Sequence, residues 1–251
     1  MIHAPTRSTA EGAGAAAPLL ELDDVRAGYG EIEVLRGVSV RVAAGAMVSI
    51  IGANGAGKST LLRTVFGMVR AQSGRVVFAG LDIANRAPVE ILRRGLSYVP
   101  QGRCNFPAMT VEENLEMGAY TRRDARVRGD IEAMLARFPM LADKRRVPAG
   151  ALSGGQQQIL EMATALLLHP KLLLVDEPSL GLDPRMVDTV FEAIQAINRE
   201  GATVLMVEQN AKRALEISHR AFVLELGRNR FEGTGRELLD NPEVRHHYLG
   251  G

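Results

Sequence analysis

The chain has 251 residues, of which 46% are hydrophobic and 24% are charged, and its formal net charge is +1. This balance is typical of a globular chain with a packed core, and the small net charge disfavours a global attraction to nucleic acid or anionic membranes. The single cysteine excludes a disulfide framework within the chain. No apolar run approaches the ~18 residues of a membrane helix. Residues 1–18, rich in alanine and glycine, are predicted to form a disordered tail.

Strands and helices are predicted to alternate along the rest of the chain. Strands are expected at 19–25, 34–42, 47–51, 75–78, 96–99, 172–175, 203–207 and 221–226. Helices are expected at 58–68, 88–94, 111–120, 126–138, 154–168, 184–199 and 211–218. Gly74 and Gly80 are predicted turns on either side of strand 75–78. The strands near 172 and 204 are apolar without alternation, which is typical of a parallel sheet covered on both faces. The pattern therefore predicts an α/β architecture with a helical insertion at about residues 100–152.

A glycine-rich segment after the strand at 47–51 carries the most specific local motif. It matches G-x-x-x-x-G-K-[ST], a phosphate-binding loop, between an apolar strand and a predicted helix. Its glycines let backbone N–H groups turn towards phosphate oxygens, and the helix start adds the positive end of a dipole. Lys58 is expected to reach the β- and γ-phosphates of ATP, and Ser59 to contact Mg²⁺. The predicted nucleotide ligands are Gly52, Ala53, Asn54, Gly55, Ala56, Gly57, Lys58, Ser59 and Thr60.

Two acidic residues follow the apolar strand at 172–175. Ligands collect at the carboxyl ends of parallel strands, so Asp176 and Glu177 are expected at the edge that holds the phosphate loop. Asp176 suits a contact with Mg²⁺ through water, and Glu177 suits a general base that orients the attacking water. The alternative is a solvated acidic strand end, and the presence of the phosphate loop makes it the weaker interpretation.

A second anion-binding pattern lies at residues 152–156, which read LSGGQ before a predicted helix. A serine, two glycines and a helix start can hold an anion, yet a chain with one nucleotide has no evident need for two such sites. With this segment the sequence resembles the ATP-binding-cassette (ABC) ATPases over residues 19–251, with the motifs in the family's order. The resemblance implies that the segment contacts a nucleotide bound by a second chain. The residues concerned are Ser153, Gly154, Gly155 and Gln156.

The same resemblance implies further ligands and a fold. Gln101 stands at the Q-loop position, where the family contacts nucleotide and Mg²⁺, and Tyr29 stands where it stacks an aromatic ring on adenine. Asp183 belongs to the family's D-loop and is also expected to cap the helix that begins at Pro184. The implied fold is a P-loop NTPase core with a mainly parallel sheet, an antiparallel β subdomain and an inserted helical subdomain.

Several stretches, among them DEPSLGLDP and VEQNAKRALEI, resemble one subfamily more narrowly. It is the second ATP-binding subunit of branched-chain amino acid importers, whose relatives import urea or short amides. The resemblance implies ATP hydrolysis that powers import, at the cytoplasmic face of the inner membrane. The implied partners are a second ABC ATPase or a second copy of this chain, two transmembrane permease subunits and, indirectly, a periplasmic solute-binding protein. Nucleic acid is not an expected partner.

Position 209 departs from the usual family pattern. Most ABC ATPases carry a histidine there that contacts the γ-phosphate, whereas this chain has Gln209, and none of its five histidines falls at that place. The amide can donate a hydrogen bond but cannot carry a positive charge or relay a proton. Two interpretations stay open. The site on this phosphate loop hydrolyses slowly beside a histidine-bearing partner, or glutamine serves adequately.

Other features leave alternatives of their own. The basic residues within 122–128 and 144–146 are interpreted as a solvated face in preference to a docking or lipid-headgroup site. Phe106, Pro107 and Met109 mark either an interface with a membrane subunit or core packing. The competing function class is a soluble ABC ATPase that acts on ribosomes, DNA or cofactor assembly. The single cassette, without a long coiled-coil insertion, disfavours that class.

Overall fold

The computed structural model of the protein describes residues 17–102 and 104–249, so most of the tail predicted at residues 1–18 lies outside the described residues. The described strands are β1 Leu20–Tyr29, β2 Ile32–Val42, β3 Met47–Ile51, β4 Ala71–Phe78, β5 Leu81–Asp82, β6 Leu96–Val99, β7 Leu172–Asp176, β8 Thr203–Glu208, β9 Arg220–Glu225 and β10 Arg228–Gly233. The described α-helices are α1 Lys58–Val65, α2 Pro88–Arg93, α3 Val111–Gly118, α4 Val127–Arg137, α5 Pro139–Ala142, α6 Gly154–Leu166, α7 Pro184–Arg199, α8 Ala211–Ile217, α9 Gly235–Asp240 and α10 Pro242–Tyr248.

The central sheet carries the candidate site at one edge. Its strand order is β10-β9-β3-β8-β7-β6, with β10 antiparallel to β9 and the other pairs parallel. Every residue of β3, β7 and β8 is buried, as expected for apolar strands covered on both faces. Met47 and Ile51 face one core cluster, and Val48 and Ile50 face the other. Because parallel strands end at the same edge, the segments after β3, β6, β7 and β8 meet there.

A second sheet, of order β2-β1-β4-β5, is antiparallel and packs with α1 over the face of the central sheet that carries Val48 and Ile50. The prediction of a turn at Gly74 is wrong, because β4 begins earlier and runs through this residue. Gly74 has a φ of 87° at an irregularity in the pairing of β1 with β4. A Cβ atom there would lie 2.4 Å from the Asp24 carbonyl oxygen, so glycine permits the close approach of the two strands.

Helix α1 ends at Val65 and not at residue 68 as predicted. The physical reason is Gly67, which has a φ of 75° and packs so closely on the next segment that a Cβ atom would lie 2.1 Å from the Arg86 carbonyl oxygen. A glycine in the left-handed conformation is a common helix terminator, and here it also turns the chain towards β4. The short elements β5, α5 and β10 were not predicted.

The segment between β6 and α6 is mainly helical in the described residues. Helix α3 begins with a capping box formed by Thr110 and Glu113, and apolar residues of α3 and α4 join the core formed by α6 and α7. Arg122, Arg126 and Arg145 pair with neighbouring acids in the described residues. The exposed Arg126 agrees with the solvated-face interpretation, whereas the Arg122 side chain is only 12% exposed and also donates to the Leu167 carbonyl oxygen, which departs from it. The pairs join Arg122 to Asp124 and Asp130, Arg126 to Asp124, and Arg145 to Glu112 and Glu132.

Candidate active site

The phosphate loop, residues 52–57, joins β3 to α1 at the carboxyl edge of the central sheet. Gly55 and Gly57 have φ angles of 80° and 102°, which residues with a side chain rarely adopt. Gly57 caps α1 without a side-chain hydrogen bond, which leaves the first N–H groups of the helix for a ligand. A cleft of about 540 Å³ adjoins the loop, and its lining includes Lys58, Ser59 and Glu177. The loop therefore has the backbone geometry of an anion cradle.

Lys58 brings a buried positive charge to this loop, since only 4% of its side chain is exposed. Its Nζ donates hydrogen bonds to the carbonyl oxygens of Gly52, at 3.0 Å, and Ala53, at 3.3 Å. The same atom lies 3.3 Å from Oε1 of Glu177. A buried ammonium requires such partners, and together they hold it within the loop. Phosphate oxygens are the ligands that this cation and the adjacent N–H groups suit best.

Asp176, the last residue of β7, is fully buried and bonded through both carboxylate oxygens. The Ser59 hydroxyl donates to Oδ1 and the Tyr98 hydroxyl donates to Oδ2, each at 2.8 Å. Burial and the neighbouring Asp176 carboxylate raise the pKa of Tyr98, so the phenol keeps its proton and acts as a donor. Ser59 lies in the first turn of α1, directly after the phosphate loop, and the contact therefore connects this loop to the end of β7.

Glu177 carries the second carboxylate of the site. Its φ of 46° is uncommon for a residue other than glycine, and its N–H donates to the Val207 carbonyl oxygen at 2.9 Å. Oε1 faces Lys58, and Oε2 accepts a hydrogen bond from Nε2 of Gln101 at 3.0 Å. The carboxylate is thus held between a cation and an amide at the wall of the cleft. That position suits a group that orients a water molecule and accepts its proton.

Glu208, the last residue of β8, joins two loops that border the cleft. It is 1% exposed, and its carboxylate accepts hydrogen bonds from the N–H groups of Ser179 and Asn210, both at 2.9 Å. Burial raises the pKa of Glu208, and these hydrogen bonds oppose the rise. Gln209 is exposed and lines the cleft together with Glu177. Glu208 therefore fixes the backbone around Gln209 relative to the loop that follows Glu177.

The LSGGQ segment begins helix α6, and none of residues 152–156 is among the described residues that line the cleft. Ser153 is exposed and caps the helix through a capping box with Gln156, which holds the Ser153 N–H at 3.0 Å. The Lys144 ammonium donates to Oε1 of Gln156 at 2.9 Å. The segment is therefore stabilised by local contacts and does not contribute to the nucleotide cleft of its own chain.

Tyr29 ends β1 and is 46% exposed, which leaves ring surface on which a planar base can stack. Its hydroxyl accepts a hydrogen bond from Nη1 of Arg63 at 3.4 Å. Hydrogen bonds with Tyr29 and Tyr98 raise the pKa of the Arg63 guanidinium. Arg63 lies on α1, so the helix that carries Lys58 and Ser59 also contacts the predicted adenine-stacking ring.

Comparison with known proteins decides the family. A family model described as "ABC transporter" matches residues 35–180. The chain belongs to the ABC transporter family. It is 46% identical over 233 residues to the high-affinity branched-chain amino acid transport ATP-binding protein BraG of Pseudomonas aeruginosa, covering 93% of this chain and 100% of that protein. It is 38% identical to the probable branched-chain amino acid transport ATP-binding protein LivF of Archaeoglobus fulgidus, with 92% and 99% covered.

Solved structures agree with this assignment to the ABC transporter family. The crystal structure of the ADP conformation of MJ1267, an ATP-binding cassette of an ABC transporter, superimposes with a TM-score of 0.82 at 29% identity, covering 94% of this chain and 100% of that chain. The predicted fold class is confirmed, with a mainly parallel central sheet, an antiparallel sheet and added helices. As a member of the ABC transporter family the chain binds nucleotide and is an ATP-hydrolysing transporter subunit.

The ABC transporter fold brings most of the predicted site residues together. Lys58, Ser59, Gln101, Glu177 and Gln209 line one cleft, and Asp176 contacts it through Ser59. Their roles as ligands stay predictions. Asp183 accepts hydrogen bonds from the N–H groups of Arg185 and Met186, which confirms the predicted helix cap.

Tyr98 and Glu208 were missed by the sequence analysis. Tyr98 pairs with Leu174 on the neighbouring parallel strand, two residues before Asp176, a register that the folded sheet determines and the sequence pattern does not. Side chains two residues apart on a strand share a face, so the pairing places Tyr98 on the face of the carboxylate. Glu208 likewise carries no sequence signal, since its partners are backbone N–H groups of loops.

Phe106 lies beyond the nucleotide cleft and is 49% exposed, which contradicts core packing for this residue. It borders a mainly apolar cavity of about 250 Å³ together with Leu92, Tyr98 and Leu168. The interface alternative therefore remains for Phe106. None of the described helices combines the length and the apolar character that crossing a membrane requires.

Proposed function

We propose that this chain is the ATP-hydrolysing subunit that powers the import of branched-chain amino acids across the membrane. The observation that carries the proposal is the 46% identity to the transport ATP-binding protein BraG along 93% of this chain. The similarity to LivF supports the same solute class. Import of another small solute, such as urea or a short amide, is the alternative that a transport experiment separates.

ATP binds beside the phosphate loop in this proposal. Backbone N–H groups of residues 52–60 hold phosphate oxygens, and the Lys58 ammonium pairs with the β- and γ-phosphates. The positive φ angles of the loop and the burial of Lys58 support this assignment. Tyr29 stacks on adenine, which its exposed ring supports.

Ser59 and Asp176 hold Mg²⁺, with Gln101 as a further contact. The donor set fits this ion, because Mg²⁺ prefers hydroxyl and carboxylate oxygens. Within the described residues, the side-chain hydrogen bonds of the buried Asp176 come from two hydroxyl groups, and no cationic side chain forms an ion pair with its carboxylate. When bound, Mg²⁺ neutralises negative charge on the phosphate oxygens.

Glu177 orients the water that attacks the γ-phosphate and accepts its proton. Its placement between Lys58 and Gln101 at the cleft supports this role. Gln209, on the same cleft, donates a hydrogen bond from its amide to the γ-phosphate. Because this amide cannot relay a proton, we expect slower hydrolysis here than at a site with histidine. The alternative is that a site with glutamine hydrolyses ATP as fast as a site with histidine.

The nucleotide site is completed by a second chain. Ser153, Gly154, Gly155 and Gln156 contact the ATP held by a partner ATPase or by a second copy of this chain. The exposure of Ser153, and the absence of residues 152–156 from the described lining of the cleft, support this arrangement. Asp183 acts at the same interface between chains in addition to capping α7.

Two transmembrane permease subunits anchor the complex at the cytoplasmic face of the inner membrane, and a periplasmic solute-binding protein delivers the solute. The exposed Phe106 beside an apolar cavity supports permease docking at this edge. Nucleic acid is not a partner in this proposal.

Co-purification and transport test the proposed function. The chain is expressed with its complex, extracted in detergent and reconstituted in proteoliposomes with the solute-binding protein. We expect recovery with two polytopic membrane proteins and a second ATPase, and ATP-dependent uptake of labelled leucine. Glu177→Gln in this chain is the matched control, because it retains the nucleotide contacts of the loop while removing the carboxylate.

Two outcomes contradict the proposal in different ways. ATP-dependent uptake of urea or acetamide without uptake of leucine contradicts the proposed solute but agrees with the role as an importer subunit. Recovery from the soluble fraction alone, with ribosomes or assembly proteins, contradicts the importer as a whole.

A further inference from the structure

Tyr98 contacts the site without lining the nucleotide cleft. It lies on β6, and its hydroxyl donates to Oδ2 of Asp176 at 2.8 Å. The other carboxylate oxygen accepts from the Ser59 hydroxyl at the same distance. The two oxygens of this fully buried carboxylate are therefore divided between two hydroxyl donors from different elements.

The Tyr98 ring is itself held in place. Its centroid lies 5.4 Å from that of Phe66, which follows α1, with the two rings tilted by 43°. The Arg63 guanidinium on α1 also reaches the Tyr98 hydroxyl. Helix α1 therefore supplies Ser59 to one carboxylate oxygen, and Phe66 at its end packs against the tyrosine that binds the other.

We propose that Tyr98 is a positioning residue for the divalent cation of the nucleotide site. Its hydroxyl holds Oδ2 of Asp176, so that Oδ1 stays turned towards Ser59. The inference rests on the proposed function, in which Ser59 and Asp176 hold Mg²⁺. It adds a residue outside the phosphate loop and the Asp176-Glu177 pair, and this residue acts through Asp176 without touching the nucleotide.

The physical consequence follows from the carboxylate's own contacts. Without the tyrosine hydroxyl, Oδ2 loses its donor in a buried environment, and the carboxylate can rotate about its Cβ–Cγ bond away from Ser59. Loss of a hydrogen bond that orients a metal ligand typically lowers metal affinity by about 10- to 100-fold. The N–H groups of the phosphate loop and the Lys58 ammonium are unchanged, so nucleotide binding without metal should be retained.

Metal-dependent nucleotide binding provides the test. A fluorescent ADP analogue is titrated into the full chain in saturating Mn²⁺ and again in EDTA, for wild type, Tyr98→Phe and Tyr120→Phe. Tyr120 is 78% exposed, so its substitution removes a phenol hydroxyl of the same kind at a neutral position. Thermal unfolding of each variant verifies the fold.

We expect Tyr98→Phe to reduce the tightening of ADP binding by Mn²⁺ about tenfold or more, with the affinity in EDTA unchanged. Tyr120→Phe should behave as wild type. A wild-type metal effect in Tyr98→Phe overturns the positioning role and leaves the proposed function intact. Equal losses in Mn²⁺ and in EDTA reduce Tyr98 to a structural role and also overturn the inference. A wild type without any metal effect contradicts the metal site of the proposed function itself.

Discussion

The chain carries two segments suited to phosphate, and they are built in opposite ways. At the phosphate loop, side chains from three parts of the fold bind one another: Lys58 contacts Glu177, Ser59 contacts Asp176, and Gln101 contacts Glu177. At LSGGQ, the contacts are short-range, between Ser153 and Gln156 and from the nearby Lys144. The first segment combines the exposed residues 53–55 with the buried Lys58, and the second offers an exposed serine at a helix start.

This difference indicates that the two segments have different roles at a nucleotide. A network that spans α1, β7 and the segment after β6 fixes the geometry needed for chemistry before any ligand arrives. A capped helix start on the surface keeps its own groups satisfied and can meet a ligand carried by another molecule. In the proposed function, binding therefore belongs to one chain, while hydrolysis requires two.

The largest expected effect comes from Glu177→Gln, which tests the chemistry of the built site. The amide retains a similar shape and can still accept from Gln101, but it cannot accept a proton. We expect ATP turnover by the assembled complex to fall by about 10²- to 10⁴-fold at this site, with ATP binding retained. The measurement is single-turnover hydrolysis alongside an equilibrium titration. Turnover close to wild type would remove Glu177 from its proposed role.

A smaller effect is expected from Gln209→His, which sharpens the comparison at the γ-phosphate end of the cleft. The imidazole adds a titratable group where this chain has an amide. If the glutamine slows this site, turnover should rise on the order of tenfold. The same assay, with the partner's site inactivated, isolates the change. An unchanged rate favours the alternative in which glutamine serves adequately.

The smallest expected effect concerns Glu208, which links two loops that border the cleft. Its pKa is raised by burial above the ordinary value of 4.5, so between that value and its folded pKa the native state holds more protons than the unfolded state. The contribution of Glu208 to the free energy of unfolding therefore falls as pH rises through this interval, by at most about 1.4 kcal/mol per pH unit.

Glu208→Gln cannot titrate and provides the matched control for that pH dependence. Denaturant unfolding of both proteins over a pH series gives the difference in unfolding free energy. We expect the unfolding free energy of the wild type, relative to that of the variant, to decrease as pH rises above about 4.5. A relative unfolding free energy that increases with pH would mean that the hydrogen bonds lower the pKa of Glu208 more than burial raises it.

Local signals explain which elements the sequence analysis predicted well. Strand 47–51 and helix 184–199 were predicted with the bounds that the structure has, because an apolar run and the Asp183-Pro184 cap are encoded within a few residues. The strand at 228–233 was missed because its sequence, RNRFEG, shows no clear alternation and its pairing with β9 decides its conformation. The turn predicted at Gly74 failed for a related reason, since the glycine's role depends on β1.

In the candidate site, too, the residues of local motifs were predicted and the long-range contacts were not. The phosphate loop and the Asp176-Glu177 pair are contiguous motifs, so their residues could be predicted from spacing alone. The contact of Tyr98 with Asp176 joins residues 78 positions apart, and that of Ser179 with Glu208 joins residues 29 apart. Such contacts depend on strand order and on loop conformation, which no local pattern specifies.

In the proposed function, one chain binds ATP through its own phosphate loop, and hydrolysis of that ATP requires the LSGGQ segment of a second chain. The most direct measurement is an ATP titration of the isolated chain as wild type, Lys58→Ala and Ser153→Arg, followed by ATPase assays of the assembled complexes. We predict that Lys58→Ala loses binding by about a hundredfold or more, since it removes a buried cation from the loop. Ser153→Arg should bind as wild type in isolation and lose turnover in the complex. Loss of binding in isolated Ser153→Arg would contradict the account, because it would place LSGGQ in the nucleotide site of its own chain.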